Sequence, residues 1–265
     1  MVRWLVLTLL AFTGCTLFVD VDGLSGSAAR AGGDASTTGS GDSGAAGADA
    51  NPGPRADGGG DGPATACVPG PGVFCDSFDD APLGARWTSK SEVAGAVSLD
   101  GTTTVSPPRA LRADVNGDGE AFLSLVLPGL PSHVRCELDM NLGEPPSGAV
   151  EVLTLITHGG PSNDYQLYVV HNASGWLLAE FGALGGSVDR SAPIASMPIG
   201  RWMHVVLDTD GSSVSLSLDG SVAATLASVR SPAGIDRRIN VGITYVAKPV
   251  TYSVLYDNVV CTYGP

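Results

Sequence analysis

Two carboxylates in one short segment are the residues whose type and spacing could do chemistry. Glu137 and Asp139 are separated by a single residue in the stretch His133–Leu142. In a β-strand, residues two apart point to the same face of the sheet. The two carboxyl groups could then lie about 5.5 Å apart and serve as general acid and nucleophile on either side of a glycosidic bond. The next residue on that face is Asn141, which cannot donate the proton that a leaving group needs. We prefer the alternative, in which Glu137 and Asp139 are the solvent-facing side of an alternating strand.

No other residues of the sequence supply a second catalytic set. There is no G-x-S-x-G motif, and the histidines lie on unrelated segments, at His133, His158, His171 and His204. The net charge is -13 and only 15% of the residues are charged, which excludes a polybasic surface for nucleic acids. We therefore predict that the protein is not an enzyme and does not bind nucleic acid.

Apolar and polar residues alternate with a period of two through the later part of the chain. In His133–Leu142 every second residue is apolar, and Ser213–Leu218 alternates in the same way. This period is typical of β-strands with one buried face. Further strands are predicted at 96–99, 110–115, 121–127, 150–157, 166–171, 176–181, 202–208, 221–226, 239–246 and 251–263.

Turn sequences separate these strands. Asp210-Gly211 and Asp219-Gly220 are typical hairpin turns, and Asn116–Gly119 is predicted to be another. About a dozen short strands without a convincing amphipathic helix predict an all-β fold, an antiparallel sandwich of two sheets.

The composition divides the chain into three parts. Residues 1–14 have one basic residue, an apolar core and small residues at the end, which is the pattern of a secretory signal. Residues 16–66 are Gly, Ala or Ser at 29 of 51 positions. This composition predicts that residues 15–66, which include Cys15, form a disordered tether. Residues 67–265 carry 11 basic and 20 acidic side chains and are long enough for one globular domain.

The end of the signal resembles the lipobox of bacterial lipoproteins. Phe12-Thr13-Gly14 precedes Cys15, although Leu is usual where Phe12 stands. The resemblance implies cleavage before Cys15, acylation of that cysteine and membrane anchoring through its acyl chains. Residue 16 is Thr, not the Asp of an inner-membrane retention signal. We therefore expect an exported protein on the outer membrane of a Gram-negative envelope, facing the periplasm or the surface.

Four cysteines remain after Cys15, which is an even number typical of two disulfides in an exported domain. Three pairings are possible. Cys67 and Cys75 flank a turn-rich segment of Pro and Gly and are the preferred pair, which leaves Cys136 for Cys261. The alternative of a metal site has no C-x2-C spacing or adjacent histidine to support it.

Three segments of the domain together resemble the concanavalin A-like lectin/glucanase superfamily, in its laminin-G-like form. They are Phe74-Cys75-Asp76-Ser77-Phe78-Asp79, then Gly200–Val205 with the hairpin Val214–Gly220, and finally Tyr256-Asp257-Asn258-Val259-Val260. The resemblance covers essentially all of residues 67–265. It implies a jelly roll of two curved sheets whose concave face often binds glycans.

The resemblance also implies one structural calcium ion between the first and last strands. Asp257 matches the family's C-terminal ligand, and Asp76 or Asp79 would lie beside it. Counted along the strand, Asp257 shares a face with Leu255, Val259 and Cys261, where a carboxylate needs a partner. The alternative is that Asp257 accepts hydrogen bonds from backbone amides.

Three aromatic residues are the candidates for stacking on a sugar ring. Tyr165, Tyr168 and Trp176 cluster on one predicted hairpin, although packing in the core is the alternative for all three. The leading hypothesis is a lipid-anchored, envelope-exposed binding module that recognises a glycan or a protein partner. The alternatives are a divergent glycoside hydrolase that uses Glu137 and Asp139, and a structural envelope protein without a specific ligand.

Overall fold

The computed structural model describes residues 68–159, 164–182, 187–227 and 234–265, without the side chains of 187–189. The predicted signal, Cys15, the tether and Cys67 lie outside these residues. The described part is all-β, as predicted, and within it no helix is long and apolar enough to cross a membrane. Its thirteen strands are β1 Val73–Asp76, β2 Ser89–Asp100, β3 Ala110–Leu127, β4 His133–Leu142, β5 Val150–His158, β6 Asp164–Asn172, β7 Gly175–Gly182, β8 Ser187–Pro193, β9 Trp202–Thr209, β10 Ser213–Leu218, β11 Ser221–Ala227, β12 Asp236–Val246 and β13 Val250–Gly264.

The strands form two antiparallel layers with one apolar core between them. Layer A has the order β11-β10-β9-β4-β13, and the far side of β13 pairs with both β1 and the first half of β3. Layer B has the order β3-β12-β5-β6-β7-β8 and uses the second half of β3. The inward side chains of both layers form the main core cluster, which confirms the predicted sandwich.

Strands β2 and β3 pass from one layer to the other without a break. They pair with each other on both sides of a register shift that falls between Val93 and Gly95. At the bend Gly117 has a φ of 132°, and a Cβ on Gly119 would lie 1.9 Å from the carbonyl oxygen of Val93. The hairpin turn predicted at Asn116–Gly119 is therefore wrong, because the glycines there bend a continuous strand instead of reversing it.

The alternation in β4 directs its apolar residues inward, as predicted. Cys136, Leu138 and Met140 are at most 1% exposed. The register places Cys136 directly opposite Cys261 on β13, and the two form a disulfide with a Cα–Cα distance of 4.1 Å. Cys75 is also disulfide-bonded. Its predicted partner, Cys67, lies outside the described residues, so that pairing stays a prediction.

One core tyrosine connects the two layers at a pair of irregular strands. The register shifts in β5 between Glu151 and Leu153, and in β12 between Val241 and Tyr245. From layer A, the hydroxyl of Tyr256 donates to the carbonyl oxygens of Val152 and Gly242 in these two strands. Both neighbours of Glu151, Val150 and Val152, face the core, so the Glu151 side chain points outward.

Candidate functional site

The three aromatic residues predicted to stack on a sugar do not share a surface. Tyr165 and Trp176 point into the main core, whereas Tyr168 is an odd number of residues from Tyr165 and points outward. All three are buried, with exposed fractions of 3%, 7% and 5% for Tyr165, Trp176 and Tyr168. The three rings therefore cannot stack on one ligand together. Tyr165 and Trp176 pack in the core, which was the alternative for them.

Glu137 and Asp139 lie on one face, as their spacing predicts, and this is the outer face of layer A. Arg135 Nε donates to Glu137 Oε1 at 2.8 Å, and Asn258 Nδ2 donates to Asp139 Oδ2 at 2.8 Å. The ring of His204 lies between them, 3.5 Å from Glu137 and 3.2 Å from Asp139. The two carboxylates therefore belong to a partly exposed row of charged and polar side chains that contact one another. This agrees with the alternative in which they face solvent.

Asp257 does not share a face with Val259, contrary to the expectation from the sequence. Asn258 has a φ of 51° and sits at a register shift, so Asp257 pairs with Asp139 on the outer face while Val259 packs in the core. The inserted residue of a bulge reverses the alternation beyond it. The expectation that Asp257 shares a face with Val259 and Cys261 is therefore wrong.

The carboxylate of Asp257 is completely buried beneath the loop that joins β2 to β3. Its Oδ2 accepts hydrogen bonds from the amides of Val105 and Ser106, each at 2.9 Å. Its Oδ1 accepts from the Ser106 hydroxyl at 3.1 Å and from the Asn258 amide at 2.8 Å. Burial raises the pKa of Asp257, although these hydrogen bonds act in the opposite direction.

The other two predicted calcium ligands are held elsewhere. Asp76 points into the core, where it accepts from the Phe78 amide and from Trp87 Nε1, each at 2.9 Å. Asp79 accepts from the Arg109 amide at 2.9 Å. Because Asp76 and Asp257 lie on opposite faces of layer A, they do not fit one calcium site. Among the described residues, no group of three or more His, Cys, Asp or Glu side chains is arranged to hold a metal ion.

The outer face of layer B carries a row of mainly polar side chains, of which only Tyr168 was a candidate from the sequence. The register places these residues side by side on five adjacent strands, as Ser124, Asn240, Thr154, Tyr168 and Ala179. We call them the polar row. They point away from the main core, yet each is at most 5% exposed, so neighbouring side chains on this face cover them closely.

Asn240 lies in the middle strands of the polar row. No donor among the described residues lies within hydrogen-bond distance of its Oδ1 atom, and the residue is only 4% exposed. Buried acceptors in proteins are normally satisfied by the protein, by ordered water or by a ligand. The row therefore has unused hydrogen-bonding capacity at Asn240.

Partly exposed side chains surround the polar row on the same face. Phe122 on β3 lies on one side, and Phe181 on β7 lies diagonally opposite, across the intervening strands. Gln166 and Arg238 occupy the neighbouring row, on β6 and β12. We call the surface between Phe122 and Phe181 the groove. No single strand identifies this face in the sequence, because its residues meet only through the pairing of separate strands.

At one side of the groove, a hydrogen-bonded chain leads from an outward glutamate into the polar row. The Thr244 hydroxyl donates to Glu151 Oε2 at 3.2 Å, and the hydroxyls of Thr244 and Thr154 lie 2.9 Å apart. Burial raises the pKa of Glu151 to about 7, and the hydrogen bond from Thr244 only partly opposes this.

At the other side lie an ion pair and a contact between a histidine and a carboxylate. Asp236 binds Arg238 through both of its carboxylate oxygens, and His158 contacts Asp164. The groove thus combines hydroxyl and amide groups, two flanking aromatic rings and charges that are largely paired. Such surfaces bind ligands by hydrogen bonds and ring contacts.

Only the comparison of structures finds proteins that are similar to this chain. The fold is similar to that of the cellulose-induced protein Cip1. That comparison has a TM-score of 0.55 at 14% identity and covers 71% of this chain and 96% of Cip1. A second similar structure comes from work on endo-acting O-glycanases of the human gut microbiota that initiate mucin breakdown. It has a TM-score of 0.51 at 14% identity and covers 72% of this chain and 99% of the other. No protein-family profile and no curated protein sequence matches the chain.

Proposed function

We propose that the groove on layer B binds a glycan and that the protein is a non-catalytic binding module. The observation that carries the proposal is the polar row between Phe122 and Phe181, on a face that points away from the core. Sugars present hydroxyl groups together with apolar C–H faces, so they suit amide and hydroxyl side chains beside aromatic rings. The similarity in fold to Cip1 and to a glycan-processing protein is consistent with this proposal.

The position of the only predicted carboxylate pair supports binding without chemistry. Glu137 and Asp139 lie on the outer face of layer A, whereas the groove is on layer B. Glu137 also contacts Arg135 and His204, and Asp139 contacts His204 and Asn258. To test the hydrolase alternative, reducing-end release would be compared between the wild type and Glu137→Gln. We expect no release from either, and release by the wild type alone would contradict the proposal.

A glycan array and calorimetry with the purified chain test the binding function. We expect Phe181→Ala and Gln166→Ala each to weaken binding by about tenfold or more, as for central interface residues. Leu255→Ala and Ser215→Ala are the controls, because they truncate one apolar and one polar side chain on the outer face of layer A. Thermal unfolding of each variant would confirm that it folds.

Two outcomes would overturn the proposal. The first is no binding across soluble and insoluble glycans, which would leave a protein partner or a structural role. The second is binding that the layer A variants weaken as much as the groove variants do, because the ligand would then lie elsewhere.

We further propose that acyl chains on Cys15 anchor the protein to the outer membrane and display the domain through the 15–66 tether. The sequence Phe12-Thr13-Gly14-Cys15 supports this. Two or more acyl chains give stable membrane attachment, which a single chain does not. Mass spectrometry of the N-terminal peptide is expected to find acylated Cys15. Cys15→Ser should move the protein from the membrane fraction to the soluble fraction, and unchanged fractionation would reject the anchor.

A further inference from the structure

One ion pair on the groove face joins Arg238 and Asp236, which are two residues apart on β12. Arg238 Nε donates to Asp236 Oδ1 and Arg238 Nη2 donates to Asp236 Oδ2, both at 2.8 Å. The side chains are 38% and 21% exposed, so the pair lies at the surface that a ligand would meet. The pKa of Asp236 is lowered and that of Arg238 is raised, in each case mainly by their mutual hydrogen bond.

This pairing changes what the arginine can recognise. A guanidinium group binds a ligand carboxylate best through two parallel N–H donors. In Arg238 one such pair of donors is already occupied by Asp236, and the positive charge is balanced. An anionic sugar would have to displace Asp236 or approach its negative charge.

The other charges on this face do not attract anions either. His158 contacts Asp164 beside the arginine pair, and Glu151 lies at the opposite side of the groove. Residues 67–265 have a net charge of -9, which adds a long-range repulsion toward polyanions. Among the described residues of the groove, Arg238 is the one arginine, and it is neutralised.

We infer that the groove selects uncharged glycans over anionic ones, and that Asp236 sets this selectivity by holding Arg238. The inference rests on the proposed glycan-binding function and specifies its ligand class. Hydroxyl groups suit the polar row, whose amide and hydroxyl side chains both donate and accept hydrogen bonds. Carboxylated or sulfated sugars would need a free cation, which Asp236 removes.

The test uses pairs of polysaccharides that share a backbone and differ in charge. Suitable pairs are methyl-esterified and de-esterified polygalacturonate, and hydroxyethyl and carboxymethyl cellulose, within a wider array of neutral glycans. We expect the wild type to bind the neutral member of a bound pair about tenfold more tightly, or more. Asp236→Asn, which frees Arg238, is expected to increase affinity for the anionic member by about tenfold. Adding Arg238→Gln to that variant should abolish the gain.

Asp114→Asn is the matched control. Asp114 accepts hydrogen bonds from Arg112 Nε and from the Ser253 hydroxyl on the outer face of layer A, so the variant makes the same change in charge away from the groove. An equal gain in Asp114→Asn would show a general charge effect and reject the inference. Equal wild-type affinity for both members of a pair would also reject it, while the glycan-binding function would stand. Failure of the wild type to bind any glycan would reject both.

Discussion

The hydroxyl of Tyr256 in one layer lies 3.2 Å from the carbonyl oxygen of Gly242 in the other layer. Gly242 has a φ of 133°, and a Cβ at this position would lie 2.3 Å from the carbonyl oxygen of Ala121. The tyrosine therefore satisfies backbone groups at the point where β5 and β12 depart from regular pairing. These same irregular strands carry Glu151, Thr244 and Asn240 of the groove face.

Removing that hydroxyl is expected to destabilise the domain. Tyr256→Phe leaves buried carbonyl oxygens without their donor, which costs about 1–3 kcal/mol. For a domain of this size each kcal/mol lowers the Tm by about 2–4 °C. Urea unfolding measures the change. Tyr263→Phe on the same strand is the control, because Tyr263 is partly exposed and should have little effect.

The Cys136–Cys261 disulfide is expected to contribute substantially to stability. The bond joins residues 125 apart in the sequence. In the chain-entropy model a loop of this length contributes on the order of 4–5 kcal/mol by restricting the unfolded chain. The double variant Cys136→Ala with Cys261→Ala should unfold at correspondingly lower denaturant. A midpoint within error of the wild type would contradict this expectation.

Asp257 is expected to fix the loop between β2 and β3. In Asp257→Asn the side-chain amide would replace an oxygen that accepts two backbone N–H groups, from Val105 and Ser106. The side-chain N–H groups would then face the backbone N–H groups in a buried site. This should lower the free energy of unfolding by about 2–4 kcal/mol. Hydrogen exchange at Val105 and Ser106 measures the loosening. Unchanged protection of both amides would show that the carboxylate is not what holds the loop.

Chelation separates this structural role from calcium binding. Because Asp257 and Asp76 face opposite sides of layer A, we expect EDTA to leave the Tm of the wild type unchanged. Adding calcium to the chelated protein should also have no effect. A Tm that falls with EDTA and returns with calcium would restore the site that the family resemblance implies.

Glu151 is expected to give the stability a distinctive pH dependence. Its folded-state pKa is raised from 4.5 to about 7, so the folded protein binds this proton more tightly than the unfolded chain does. The resulting stabilisation is complete below pH 4.5 and is lost as the pH rises to about 7. Glu151→Gln should therefore be more stable relative to the wild type at pH 8 than at pH 4. Calorimetry at both values measures this, and a constant difference would contradict it.

Local alternation was enough to predict most of the fold. The predicted bounds 133–142 and 213–218 coincide with β4 and β10, because a strand with one buried face repeats its pattern every two residues. Alternation does not predict the facing of side chains correctly where a residue is inserted or a strand bends. At Asn258 a bulge reverses the face of Asp257, and at Gly117 a presumed turn is a bend within β3.

The groove could not be predicted in the same way, because it depends on which strands become neighbours. Ser124, Asn240 and Thr154 are far apart in the sequence and meet only through the pairing of β3, β12 and β5. Each is a small polar residue within an apolar strand, which gives no signal of its own. Of the aromatic residues on the predicted hairpin, Tyr165 and Trp176 lie in the main core, whereas Tyr168 is an odd number of residues from Tyr165 and lies on the opposite face.

The passage of β2 and β3 from one layer to the other has a mechanical consequence. On that side, continuous backbone ladders join the layers, so the two sheets cannot separate there without losing paired amides. The opposite edges are the end strands β8 and β11, which the Arg190 side chain links through the Ala227 carbonyl oxygen. Any opening of the sandwich should therefore hinge on the β2/β3 side and separate the two layers first at β8 and β11.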